Sequence, residues 1–306
     1  LGLSAVACSK REDPGVAPFQ PPAPRPSASA VPGRLPAEER TLDFPTTGVG
    51  RMSVVVAVPE RAPDQRFPVL LALHGRGETL KGPARGARGW VDDYALGRAV
   101  GRLARPPLAE DDFERFIQPP RLELLNRGLA AHPYAGLIVV CPYLPDVLSA
   151  DDPFSGAAPL AEFLVDELLP KIYAETPALG TPAATGIDGV SLGGRAALAV
   201  GLTRPESFGA VASLQAALDP QNKNQLASRA LRAREKNPKL SLRLLTSDGD
   251  YYLGALTAIH AGLLRAEVPH DYVVVSGPHS YAFNRGPGAL EMLIYHDRVL
   301  RGFPAI

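Results

Sequence analysis

The chain of 306 residues is short of several things, and each shortage closes a class of function. It has no surplus of either charge, since 32 Lys plus Arg stand against 32 Asp plus Glu. A nucleic-acid binder or a polybasic membrane-surface protein would carry a basic excess, so no nucleic-acid partner is expected. Its two cysteines, Cys8 and Cys141, cannot build a disulfide scaffold. Neither Cys-x-x-Cys nor His-Glu-x-x-His occurs, which removes the common zinc patterns. No apolar run is long enough to span a bilayer as a helix. Gly77-Glu-Thr-Leu-Lys-Gly82 comes near a P-loop, but Pro83 and Ala84 stand where Lys and Ser or Thr are required.

Proline, by contrast, is abundant: 32 residues, about twice ordinary usage. A quarter of it lies in the first forty residues, 8 of the 32. Residues 1–8, Leu-Gly-Leu-Ser-Ala-Val-Ala-Cys8, are followed at once by Ser-Lys-Arg-Glu-Asp. This resembles the end of a bacterial lipoprotein signal peptide, whose cysteine is lipidated and becomes the first mature residue. Ala5 departs from that pattern, because Leu is usual there. The resemblance implies a signal remnant at 1–8, a membrane tether through lipidated Cys8, and a place in the bacterial cell envelope or outside it. Residues 9–40 are rich in Pro, Ala, Ser and Arg and too poor in apolar side chains to offset their ordering entropy, so a disordered linker is expected.

From residue 41 strands and helices alternate. Apolar, β-branched runs at 52–58, 69–73, 137–141, 184–190, 210–214, 242–246 and 272–275 read as strands buried on both faces. Helical patterns at 159–174, 192–203, 225–236, 253–266 and 288–300 lie between or after them. The rhythm predicts an α/β fold: one domain over 41–306, with right-handed crossovers and a mostly parallel sheet. No helix follows the 52–58 strand, which is expected to pair antiparallel at the sheet edge. The stretch 76–136 breaks the rhythm; helical patterns at 95–103 and 111–116 lie in it, and it is expected to wall a pocket.

Four strand ends carry candidate chemistry. Gly189-Val-Ser191-Leu-Gly193-Gly194 closes one strand and opens a helix, the context of a nucleophile elbow. The glycines are needed there because side chains would collide with the neighbouring strand and helix. Leu73-His74-Gly75-Arg76-Gly77 ends an earlier strand. Acyl transfer needs two N–H groups aimed at an oxyanion, and Leu192 and Arg76 are the candidates. His74 is expected to be structural; the Arg76 side chain faces either a substrate carboxylate or solvent, and solvent is preferred. Thr246-Ser-Asp248-Gly-Asp250 offers two carboxylates to orient a histidine base. Asp250, nearer the next helix, is preferred, and Asp248 is left as a turn former or helix cap. Gly277-Pro-His279-Ser-Tyr-Ala-Phe283 places a histidine in a loop before the last helix.

These pieces, in the order Ser191, Asp250, His279, resemble the esterase D or "putative esterase" family of α/β-hydrolases, whose relatives include feruloyl esterases, S-formylglutathione hydrolases and mycolyltransferases. The resemblance covers residues about 50–302. It departs from the family at Asn284, where another aromatic is often found, and in offering two aspartates. It implies a serine hydrolase of small-molecule or sugar-linked esters, with no metal or organic cofactor. The same triad also suits an acyltransferase, and the fold alone would suit a non-catalytic sugar- or lipid-binding lipoprotein. Trp90, Tyr94, Tyr251, Tyr252, Tyr281 and Phe283 are candidates for an aromatic pocket lining.

Overall fold

The computed structural model describes residues 37–146, 152 and 154–306. Cys8 and residues 9–36 of the expected linker lie outside them. Eight strands are present among the described residues: β1 (Ala37–Phe44), β2 (Met52–Pro59), β3 (Val69–Leu73), β4 (Ile138–Pro142), β5 (Thr185–Gly189), β6 (Ala210–Leu214), β7 (Ser241–Gly249) and β8 (Asp271–Pro278). They form one sheet in the order β1-β2-β4-β3-β5-β6-β7-β8. The β1–β2 and β2–β4 pairs are antiparallel, and every pair from β4 to β8 is parallel.

The interior strands β3, β4, β5 and β6 are buried at every position because helices cover both faces; β3, β4 and β6 are mainly apolar, whereas β5, Thr-Gly-Ile-Asp-Gly, also buries Thr185 and Asp188. The outermost strand was not legible. β1 reads Ala-Glu-Glu-Arg-Thr-Leu-Asp-Phe and begins at Ala37, so the fold starts four residues inside the segment expected to be linker. Only Leu42 and Phe44 pack against the core, while Glu38, Glu39 and Arg40 are exposed. Backbone pairing to β2, from Ala37–Pro59 to Phe44–Met52, holds it in place. Charged side chains on such an edge discourage pairing with another chain. The strand at 52–59 is therefore antiparallel as expected, but second from the edge.

Seven longer helices cover the sheet: α1 (Leu96–Leu103), α2 (Pro119–Ala131), α3 (a continuous run from Ala157–Glu162 through a widened turn at Phe163–Leu168 to Leu169–Glu175), α4 (Leu192–Thr203), α5 (Lys223–Lys236), α6 (Leu253–Arg265) and α7 (Ala289–Val299). Helices α3, α4, α5 and α6 contribute to the core on one face, and α1, α2 and α7 to that on the other. Helix α2 escapes a sequence reading because Pro119-Pro120 looks like a breaker. The prolines occupy its first turn, where an N–H has no helical partner to lose. The helix expected at 111–116 is a single turn, Glu110–Phe113.

Candidate active site

The site is assembled at the carboxyl ends of β3, β5, β7 and β8. Ser191 links β5 to α4 with φ +58° and ψ −117°, a left-handed backbone that costs a non-glycine residue about 1–3 kcal/mol. Its N–H donates to Leu214 O (2.9 Å), and its carbonyl accepts from Arg195 (3.1 Å) and Ala217 (3.0 Å). The flanking glycines permit the turn. A Cβ on Gly189 would lie 2.6 Å from Gly193 O and 2.7 Å from Leu73 O. One on Gly193 would run into the carbonyls of Leu73 and His74.

The two aspartates of the acid loop are separated by a register shift between Ser247 and Gly249. Asp250 is buried and its Oδ1 lies 2.9 Å from His279 Nδ1. It also accepts from the Thr246 hydroxyl (2.7 Å) and from the Tyr252 N–H (3.0 Å). Three donors hold the carboxylate in one orientation, and Nε2 is left as the free nitrogen of the His279 ring. Asp248 is exposed and accepts from the Gly277 N–H at 3.0 Å, so it ties β7 to β8 instead of forming a turn or a cap.

His74 is buried and structural: the Leu144 N–H donates to its Nε2 (2.9 Å), and its Nδ1 lies 2.8 Å from Gly75 O. Burial lowers its pKa to about 4, so the ring is neutral. Arg76 and Leu192 each begin a helical turn, where the N–H has no partner within its own helix. The Arg76 side chain is exposed and pairs with Asp146 at 3.0 Å.

The residue behind this turn was missed in the sequence. Glu78 is buried and binds two phenols. Tyr94 donates to its Oε2 and in turn accepts from the Gly75 N–H (3.1 Å), while Tyr281 donates to its Oε1 (2.6 Å). Burial, with the Glu78 carboxylate beside them, pushes both phenols above the usual tyrosine range, which keeps them protonated as donors. Glu78 thus joins the His-Gly turn, the 76–136 stretch and the histidine loop. Gln215 plays a similar part, with Nε2 donating to Ser247 Oγ (2.6 Å) and Pro278 O (3.3 Å). Neither position has a motif to announce it.

Ser191 and His279 line one cleft of about 210 Å³ with Gly75, Arg76, Tyr94 and Tyr281. No hydrogen bond joins Ser191 to His279 among the described residues; such contacts often tighten only with substrate bound. Tyr251 lies beside the His279 ring, tilted by 34° with centroids 4.2 Å apart. Trp90 and Phe283, candidates for the lining, are instead fully buried in the core beneath. A larger hollow of about 680 Å³ at the amino ends of β5 and β6 is lined by no serine or histidine.

The strand order, with the turn at Ser191 and the site at the carboxyl ends of the strands, is that of the α/β-hydrolase fold. Residues 149–250, which include Ser191 and Asp250, match the family model described as "Putative esterase", in agreement with the resemblance carried by the motifs. A ferulic acid esterase has a similar structure at 17% identity and TM-score 0.63, over 86% of this chain and 99% of the other. An S-formylglutathione hydrolase from Staphylococcus aureus is similar at 15% identity and TM-score 0.58, over 85% and 99%. A fluorophosphonate-binding serine hydrolase from the same organism is similar at 16% identity and TM-score 0.55, over 86% and 99%. No curated protein matches the chain.

Proposed function

We propose that the chain is a serine esterase that hydrolyses carboxylic esters through an acyl-enzyme, with Ser191 as nucleophile, His279 as base and Asp250 as the orienting acid. The observation that carries this reading is a serine in a strained left-handed turn sharing a cleft with a histidine whose Nδ1 is bound to a buried carboxylate. In this mechanism His279 Nε2 takes the hydroxyl proton as Ser191 Oγ bonds to the ester carbonyl. The N–H groups of Leu192 and Arg76 hold the oxyanion, each contributing on the order of 3 kcal/mol to the transition state. His279 then returns the proton to the leaving alcohol. A water, deprotonated by the same nitrogen, releases the acid and frees Ser191. Asp250 keeps the imidazole in the tautomer that leaves Nε2 available and stabilises the imidazolium. Glu78, through Tyr94, holds Gly75 and hence the position of the Arg76 N–H.

The test is hydrolysis of p-nitrophenyl acetate and butyrate by the full chain and by Ser191→Ala, with a fluorophosphonate probe on both. Turnover and labelling that vanish together in the variant are expected. Absence of both from the unaltered chain would overturn the reading.

A further inference from the structure

Arg195 lies one helical turn beyond Ser191, on the first turn of α4. Its side chain is buried, with 8% of the residue exposed. Buried arginines are ordinarily paired with carboxylates, because an unpaired cation away from water is costly. This one is not paired among the described residues. Among the described residues its Nε is buried without a partner, and its one hydrogen bond runs from Nη2 to the backbone carbonyl of Asp152 at 3.4 Å. The carboxylates nearby are engaged elsewhere. Asp146 pairs with Arg76 (3.0 Å), Asp152 accepts from Gln225 (2.8 Å) and the Phe154 N–H (2.9 Å), and Asp219 accepts from the Gln221 N–H (2.9 Å).

Arg195 faces a cleft. A hollow of about 570 Å³ is bordered by Ser191, Leu192, Arg195, Arg76, Asp146 and Tyr252. Ser191 and Arg76 also line the first cleft, so the two hollows share the nucleophile. Asp219 borders the second as well, so two arginines face two aspartates there. With Arg76 engaged by Asp146, Arg195 is the guanidinium left there to balance one negative charge. A guanidinium with donors unused matches the geometry of a carboxylate.

We propose that Arg195 receives an ionised carboxyl group carried by the ester substrate, so that the preferred substrates are monoanionic esters. This rests on the reading of Ser191 as the nucleophile. The carboxyl group takes no part in bond making. It fixes the ester carbonyl over Ser191, and the products are a dicarboxylic acid or a hydroxy acid, according to which side of the ester bears it.

The experiment compares kcat/KM of the full chain, Arg195→Gln and Arg195→Lys on two matched pairs: monoethyl adipate against ethyl hexanoate, and 4-acetoxybenzoate against phenyl acetate. The unaltered chain is expected to favour the charged member of at least one pair by about tenfold, the effect of one charge-assisted hydrogen bond. Arg195→Gln should abolish that preference and Arg195→Lys retain part of it. The ratio is taken within one protein, so partial unfolding cancels. Equal rates on both members of both pairs, or a preference untouched by Arg195→Gln, would overturn the proposal. If Ser191 takes up a fluorophosphonate but none of these esters turns over, hexanoate, a monoanion, should slow labelling of the unaltered chain and not of Arg195→Gln; labelling indifferent to hexanoate overturns the proposal. Failure of both labelling and turnover removes the esterase reading itself, a separate result.

Discussion

Two aspartate–histidine pairs lie on the same sheet, and they differ in what stands beyond the histidine. His279 meets Asp250 through Nδ1 at 2.9 Å, and His296 meets Asp188 through Nε2 at 3.1 Å. The first pair occupies loops past the carboxyl ends of β7 and β8, and His279 opens on the cleft that holds Ser191. The second joins the interior of β5 to α7 with both side chains fully buried. Its remaining nitrogen, His296 Nδ1, meets no partner, and burial pulls the pKa of the ring down. The ring fits only because residue 186 is glycine, since a Cβ there would strike Nδ1. Carboxylate and imidazole are thus the same chemistry in both places. Access decides the difference: a general base needs a nitrogen that faces a reacting atom and can exchange its proton. The inner pair has neither and serves cohesion.

The comparison is sharpest where one pair is altered and the other kept. Asp250→Asn should lower turnover of p-nitrophenyl butyrate by about 10⁴, because the amide no longer selects the tautomer that leaves Nε2 free. Its oxygen can still accept from Thr246 or Tyr252, so the urea midpoint should move little. A loss below tenfold would deny the outer pair its chemical role.

His296→Ala should do the reverse. It leaves Asp188 buried without its imidazole partner and opens a void beside Gly186. The expected cost is about 3 kcal/mol in urea denaturation. Turnover per fluorophosphonate-labelled site should change by less than about threefold, since no catalytic group moves. Collapse of turnover with stability intact would mean that the inner pair is coupled to Ser191 and that burial does not separate the two.

The outer pair was legible because its parts sit at fixed places relative to strand ends. Ser191 is two residues beyond β5, Gly75 two beyond β3, Asp250 one beyond β7 and His279 one beyond β8. Apolar strands announce themselves by composition, and the loops that follow are short, so the motifs could be placed. Glu78 and Tyr281 are 203 residues apart, and a contact made only by the closed fold has no local pattern. Gln215 and Arg195 are hidden in the same way: one looks like an ordinary loop residue, the other like a helix residue. Strand β1 was hidden for the opposite reason, because an edge strand held mainly by backbone pairing needs little apolar sequence.

The smallest effect is expected at Asp248, the carboxylate that the sequence ranked behind Asp250 only by its distance from the next helix. In a regular strand, positions two apart point to the same face, so Asp248 and Asp250 would be equivalent. The register shift at Ser247–Gly249 breaks that equivalence. It leaves Asp248 exposed on the Gly277 N–H at 3.0 Å and carries Asp250 inward to His279. Asn at 248 can accept the same bond through its carbonyl oxygen. Asp248→Asn should therefore keep kcat/KM within about threefold and stability within about 0.5 kcal/mol. Asp248→Ala loses the tie between β7 and the histidine loop, and about 1 kcal/mol with it. A fall of a hundredfold in Asp248→Asn, with Asp250→Asn near normal, would move the acid to the exposed carboxylate. Access to solvent would then matter more than the fixed orientation that burial and three donors give Asp250.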